Sequence, residues 1–218
     1  MHSRDKTQTK KEPMNFSRLK ELERENRKNL FINAAERVFT ELPFDKVTIR
    51  NIAKQAGITA TALYRYFPDK QTLYAEAYIR SNNRLLEKIL ETMNSHAALC
   101  LEEITMVIIE HFMSEEQNLK MRAHFLIDDS LSPEISQSIN ESSRIFLLEI
   151  VNYFERYNPN VNARLLSRIY VASLNGLLIT LRKYPAKNHK ELVKHIKTAG
   201  SVLADMFQNQ LNIQPEPV

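Results

Sequence analysis

The sequence predicts an all-α protein: an amino-terminal three-helix domain with a helix-turn-helix, followed by a larger helical domain. Only 3 Gly and 8 Pro in 218 residues leave little turn material for a barrel or sandwich, and long stretches rich in Leu, Ile, Glu and Lys favour helix. Residues 48–78, TIRNIAKQAGITATALYRYFPDKQTLYAEAY, supply the second observation. Ile49, Ile52, Ala53 and Ala56 share one apolar face, Gly57 breaks it, and Leu63 and Phe67 form a second short face that can pack back on the first. Two short helices joined by a tight Gly-containing turn form a unit whose second helix can enter a major groove. Third, Ser114, Ser130–Pro133, Asn158–Asn160 and Tyr184–Pro185 divide the rest into segments of helical length.

Charge is divided along the chain. Residues 1–70 hold 15 Lys/Arg against 9 Asp/Glu, a balance of +6, whereas residues 71–218 hold 15 against 17, a balance of −2. The basic end contains the helix-turn-helix, which suits a polyanion. A single cysteine, Cys100, excludes an intrachain disulfide framework and a multi-cysteine zinc site. No charged leader with an apolar stretch opens the sequence, and its apolar runs fall short of the roughly 20 residues that span a bilayer. A cytoplasmic protein with no membrane partner is expected.

Residues 1–16 read as a flexible basic tail whose Lys6, Lys10 and Lys11, with Arg18 and Lys20 beyond it, either solubilise the chain or lie along DNA. A helical pattern begins near Ser17 and runs to about Glu41, burying Phe31, Ala34, Ala35, Val38 and Phe39. Leu42-Pro43-Phe44 ends it. Thr48 is placed to cap the second helix and Thr59 the third. Phe67-Pro68-Asp69-Lys70 closes the unit, with Asp69 as the next cap. The fourth helix, about 70–92, starts in the first domain and ends in the larger one. Helices at about 97–113, 115–127, 133–157, 161–184 and 187–211 follow, and residues 212–218 read as a frayed end.

KNLFINAAERVFTELPFDKVTIRNIAKQAGITATALYRYFPDKQTLY, residues 28–74, resembles the DNA-binding domain of the TetR family of bacterial transcriptional regulators. Ala34-Ala35, Phe39, Phe44, Thr48, Ile52-Ala53, Ala56-Gly57-Ile58, Leu63-Tyr64, Phe67, Lys70 and Leu73 carry the resemblance. Beyond residue 80 only length and helical character agree. The resemblance implies a DNA-binding domain over 17–74 and a ligand-binding and dimerisation domain over 75–218. Pro43 stands where the family usually has Gly, so the chain must leave the first helix differently, because Pro cannot adopt the left-handed conformation.

The candidate DNA-binding residues are Thr48, Arg50, Thr59, Ala60, Thr61, Tyr64, Arg65, Tyr66 and Lys70. The first-turn amides after Thr48 and the helix dipole can receive a phosphate, although a cap alone accounts for Thr48. Ala60 and Thr61 can touch a thymine methyl, Thr61 can hydrogen-bond a base edge, and Arg65 reaches guanine or phosphate. Thr61 stands where the family commonly has Gly, which marks it for specificity. Tyr64 resembles the family tyrosine that bonds a backbone phosphate, and Tyr66 stands where many members have His. Lys70 puts a cation at a helix start, where the dipole opposes it unless an anion is present.

In the larger part, residues 161–184 and 187–211 resemble the family's dimerisation pair, with Gly176 or Gly200 permitting close approach. A homodimer through residues 161–211 is expected; closure of the protomer's own core is the alternative. Candidate ligand contacts are Arg122, His124, Asn140, Arg144, Tyr153, Tyr170 and Asn175, each of which also has an ordinary structural reading. Asn175 is the strongest, because an amide flanked by leucines needs a partner. His124 and Asp128 lie four apart on one face, but without further ligands they give no metal site. No Gly-rich phosphate loop, HExxH or GxSxG is present, so no catalytic residue, cofactor or metal is assigned and no enzyme is expected.

The sequence thus reads as a ligand-responsive transcriptional regulator, a repressor, that binds a double-stranded palindromic operator as a dimer. A small hydrophobic or amphipathic effector is expected to release it, since apolar residues such as Ile104, Ile108, Phe112 and Phe146 outnumber inward-facing polar groups. By the resemblance, ligand fixes the two recognition helices at a spacing that no longer matches successive major grooves. The alternatives are a helical small-molecule-binding protein without DNA binding and a transcriptional activator.

Overall fold

A computed structural model describes residues 16–95, 100–114, 116–127, 130–182 and 184–212. The chain runs α1 (Phe16–Glu41), a single 3-10 turn (Phe44–Lys46), α2 (Ile49–Gln55), α3 (Ala60–Tyr64), α4 (Lys70–Ser95) and α5 (Leu101–Ser114). It continues with α6 (Glu116–Ile127), α7 (Pro133–Tyr157), α8 (Ala163–Leu181) and α9 (His189–Asn212). No strand occurs among the described residues, as the composition requires. The basic tail before residue 16, Asp128, Asp129 and the residues after 212 lie outside the described residues.

Local chemistry accounts for the breaks. Pro43 takes φ −59° and ψ 148°, extended rather than left-handed, and the chain leaves α1 through the 3-10 turn that follows it. Gly57 has φ +69°, the one positive φ among the described residues. Around it the Ile58 amide donates to Ala53 O at 2.9 Å, closing α2 with a Schellman-type bond that needs a residue free of a Cβ penalty. Thr48, Thr59, Asp69 and Ser132 all accept amide bonds at helix starts.

Two apolar cores result. The first joins α1 to α4 around Ala35, Ile52, Leu63, Phe67 and Leu73, and it also draws in Met121 of α6 and Ile135 and Ile139 of α7. Packing is therefore continuous across residue 74. Ion pairs reinforce the junction: Glu36 of α1 lies 2.6 Å from Arg80 and 3.1 Å from Arg84, and Lys28 lies 2.8 Å from Glu76. The second core is built by α4, α5, α7, α8 and α9 around Leu101, Ile104, Ile109, Phe154 and Tyr170.

His111 of α5 is buried, with Nε2 2.9 Å from Ser81 Oγ of α4. Burial first, then the nearby Lys88, Arg84 and Arg122 cations, push its pKa down to about 4. The unfolded chain therefore binds more protons between about pH 6.5 and 4, so this contribution is complete above that window and is lost as pH falls through it. Urea melts of wild type and His111→Gln at pH 7 and pH 5 check this. The wild type should lose about 2 kcal/mol more than the variant over that interval.

The tertiary packing corrects the reading of α9. Gly200 faces inward where α9 crosses α5: an added Cβ would overlap Ile109 Cδ1 and approach Thr105 Cγ2 to 3.3 Å. Its close approach is to the protomer's own α5. Phe207 is likewise buried, with its ring centroid 5.4 Å from that of Tyr170. Gly176, by contrast, is exposed, with nothing within 4 Å of an added Cβ. The Tyr170–Phe207 and Tyr184–His195 contacts set α8 and α9 antiparallel. The apolar residues this pair leaves outside are Leu165 (52% exposed), Ile169 (46%), Val202 (56%) and Met206 (60%).

Candidate DNA-binding surface and effector cavity

The helix-turn-helix presents a polar surface over a closed core. Ile49, Ile52, Ala53 and Leu63 face inward, leaving Arg50, Thr59, Thr61 and Arg65 exposed, with Tyr64 53% exposed. Thr48 is exposed and forms a reciprocal capping box that the sequence reading missed. Its Oγ1 accepts from the Asn51 amide at 3.2 Å, while its own amide donates to Asn51 Oδ1 at 3.0 Å. Asn stands at the position where Glu or Gln is usual, so the S/T-x-x-E/Q signature gave no warning. Thr59 accepts from the Ala62 amide at 3.2 Å and starts α3, and Ala60 is half-buried beside it.

Two residues sit differently from expectation. Lys70 Nζ donates to Phe44 O at 2.8 Å and lies 4.0 Å from the centre of the Phe44 ring. Its charge is compensated inside the domain by the carbonyl and the ring, so it needs no anion at the start of α4. Tyr66 is half-buried, edge-on to Phe31 of α1 at 4.9 Å, where it joins α3 to α1. Behind α3 it helps line a cleft of about 600 Å³ that also carries Arg27, Arg37 and Arg65, so the basic surface extends onto α1.

A cavity of about 310 Å³ lies between α4, α6, α7 and α8, with Leu85, Phe125, Phe146, Leu147 and Val171 among its apolar walls. Arg122, Asn140 and Asn175 line it. Arg122 is not on a solvated face: it is 8% exposed, donates from Nε to Asn175 Oδ1 at 2.5 Å and from Nη1 to Tyr78 OH at 3.2 Å, and stacks on Phe112. Asn140 is exposed at the mouth. Tyr78, Asn82, Ser143 and Arg168 complete the polar lining. They went unnoticed because no local pattern marks them; polar Asn82 on the buried stripe of α4 was the one available signal.

The other four candidates lie elsewhere. Arg144 is exposed and pairs with Glu141 at 2.6 Å, one helical turn away. This is the solvated pair that i,i+3 spacing favours, and hydrogen bonding to Arg144 holds the Glu141 carboxyl below the usual range. Tyr153 and Tyr170 belong to the second core; Tyr153 OH donates to Gln208 Oε1 at 3.4 Å, and Tyr170 OH lies 2.7 Å from Thr105 Oγ1. Burial raises both phenol pKa values. His124 packs between the Phe44 ring at 4.3 Å and Tyr74 at 5.2 Å, joining α6 to the helix-turn-helix rather than facing the cavity. No group of three metal-ligating side chains occurs among the described residues. Cys100 is half-buried just before α5.

Among the described residues the fold is helical, with a helix-turn-helix fused through α4 to a cavity-bearing bundle. Residues 31–77 match the family described as bacterial regulatory proteins, tetR family. It is 27% identical over 118 residues to the fatty acid metabolism regulator protein of Bacillus subtilis (strain 168), a match spanning 53% of this chain and 60% of that relative. The fold resembles the fatty acid degradation regulator FadR from Bacillus halodurans, with TM-score 0.67 and 19% identity over 82% of this chain and 94% of that one. It also resembles Bacillus subtilis FadR in complex with stearoyl-CoA, with TM-score 0.65 and 18% identity over 80% and 96% of the two chains. No helix among the described residues is long and apolar enough to cross a membrane.

Proposed function

We propose that the protein is a repressor that binds a palindromic operator as a homodimer and leaves it when a small, mainly apolar effector enters the α4–α8 cavity. The observation that carries this is the position of the cavity: Tyr78 and Leu85 of its wall stand on α4, whose first turn holds Lys70 against Phe44 of the DNA-binding domain. A ligand that favours one arrangement of α4 thereby favours one spacing of the recognition helices. Apolar walls suit a hydrocarbon or aromatic effector, whereas a sugar would leave hydroxyls unpaired at about 1 to 3 kcal/mol each. Bacillus subtilis FadR, similar to this chain in fold, is in complex with stearoyl-CoA, whose acyl chain is of the same apolar kind. At about 310 Å³ the cavity is at the lower end of the roughly 300–1,000 Å³ typical of ligand pockets, which favours a medium-length chain.

Titrating apolar anions, apolar cations, sugars and nucleotides into the operator complex while following fluorescence anisotropy tests the reading. Release by an apolar compound is expected; release by a sugar or nucleotide alone overturns it.

On the DNA side, Thr48, Arg50, Tyr64 and Arg65 are assigned to the phosphate backbone, with Arg65 also within reach of a base, and Thr59, Ala60 and Thr61 to the groove. Tyr66 and Lys70 hold the domain together, with backbone contact a secondary role. Arg50→Ala should weaken all duplexes alike and reduce the slope of log K against log salt by about one unit. Thr61→Gly should instead change base preference across a panel of single-base variants. Equal effects of the two substitutions on that panel would defeat the division.

A further inference from the structure

We infer that the effector is an apolar monocarboxylate whose head group is held by Arg122 inside the cavity. The inference rests on the effector reading above and names the ligand's polar end.

Arg122 is more than nine-tenths buried, yet its partners among the described residues are neutral: the Asn175 amide oxygen at 2.5 Å, the Tyr78 hydroxyl at 3.2 Å and the Phe112 ring at 5.2 Å. A guanidinium offers five N–H donors in a planar fork. Nε and Nη1 are engaged here, and Nη2 has no hydrogen bond among the described residues. A buried cation without a counter-ion is costly, and the protein offsets the cost elsewhere by pairing: Glu36 neutralises Arg80 and Arg84 at the domain junction. At Arg122 no carboxylate among the described residues does so. The surroundings add positive charge, since Lys88 and Arg84 act together with Arg122 on His111, and Arg168 lines the same cavity.

An incoming carboxylate would supply the missing charge and accept from the fork. Asn175 and Tyr78 hold the guanidinium from α8 and α4, so it is preorganised for that role. The remaining walls, Leu85, Phe125, Phe146, Leu147 and Val171, are hydrocarbon and suit the tail. An alcohol of the same length fills the tail space but brings no charge to Arg122, and an acyl-CoA has an uncharged thioester at the acyl end, with its charge on the distant phosphates.

The test measures binding of decanoate, decanol and decanoyl-CoA to the full chain by calorimetry, with anisotropy of an operator complex read in parallel. Wild type should bind decanoate at least tenfold more tightly than decanol. Arg122→Gln should abolish that preference while leaving decanol affinity within about threefold. Because truncating a buried arginine can impair folding, Asn175→Asp is the second variant. It puts a carboxylate of nearly the same shape 2.5 Å from Arg122 Nε, and it should raise thermal stability without ligand and lose the preference for decanoate. Equal affinity of wild type for decanoate and decanol, or a preference that survives in both variants, overturns the inference. If decanoyl-CoA or decanol releases the operator and decanoate does not, the effector reading stands and the carboxylate inference falls. If none of the three binds, both fall.

Discussion

Val202→Glu combined with Met206→Glu should convert the protein into a folded monomer that no longer holds its operator. Both side chains stand outside the protomer, 56% and 60% exposed, on the face that α9 shares with Leu165 and Ile169 of α8. Gly176 leaves room on α8 for a second helix to come close. Buried in a two-fold interface, the two carboxylates would occur four times in the dimer and face apolar surface without counter-ions. At about 1.4 kcal/mol per tenfold, the several kcal/mol this costs should weaken dimerisation at least about 100-fold. Thermal stability of the monomer should change little, because neither residue belongs to the core. Sedimentation velocity with and without operator checks both statements, and a dimer unaffected by the double substitution would rule out this face. Phe207 is unsuitable for the same test: it is packed against Tyr170 and Phe154, so its replacement would unfold the protomer.

Glu36→Gln should carry the other large effect, at the junction between the two cores. The Glu36 side chain is 13% exposed and accepts the charges of Arg80 and Arg84, which are 21% and 38% exposed. Removing the carboxylate leaves two adjacent guanidiniums without it. Breaking a fully buried pair costs about 3 to 5 kcal/mol; partial solvent access to the arginines reduces this to about 2 kcal/mol. Because the link ties α1 to α4, the variant should also show faster amide exchange in α1 and a smaller effect of ligand on DNA affinity. Urea denaturation and hydrogen exchange measure the first two, and anisotropy the third. Unchanged stability in Glu36→Gln would show that the Glu36 carboxylate is not needed to fix α1 on α4.

Local patterns were enough to determine the helical class, the order of elements and the helix-turn-helix. Caps, glycine and apolar spacing act within a few residues of themselves, so Thr48, Gly57, Thr59 and Asp69 are legible from neighbours alone. Pro43 is the same case: its fixed φ excludes the usual exit, and the 3-10 turn is the observed consequence. Helix length and break residues likewise placed α4 to α9 within a few positions.

What a side chain faces across the molecule was decided only by tertiary structure. Arg122 and Arg144 are both polar positions on amphipathic helices, yet one is buried against Asn175 and the other pairs with Glu141 in solvent. Gly176 and Gly200 are alike in sequence, but α5 covers only the second. His124, Tyr153 and Tyr170 were sorted into packing roles by partners 30 or more residues away, and Lys70 found its counterpart in Phe44. A helix's periodicity states which residues share a face; which element covers that face depends on the packing of all nine helices described.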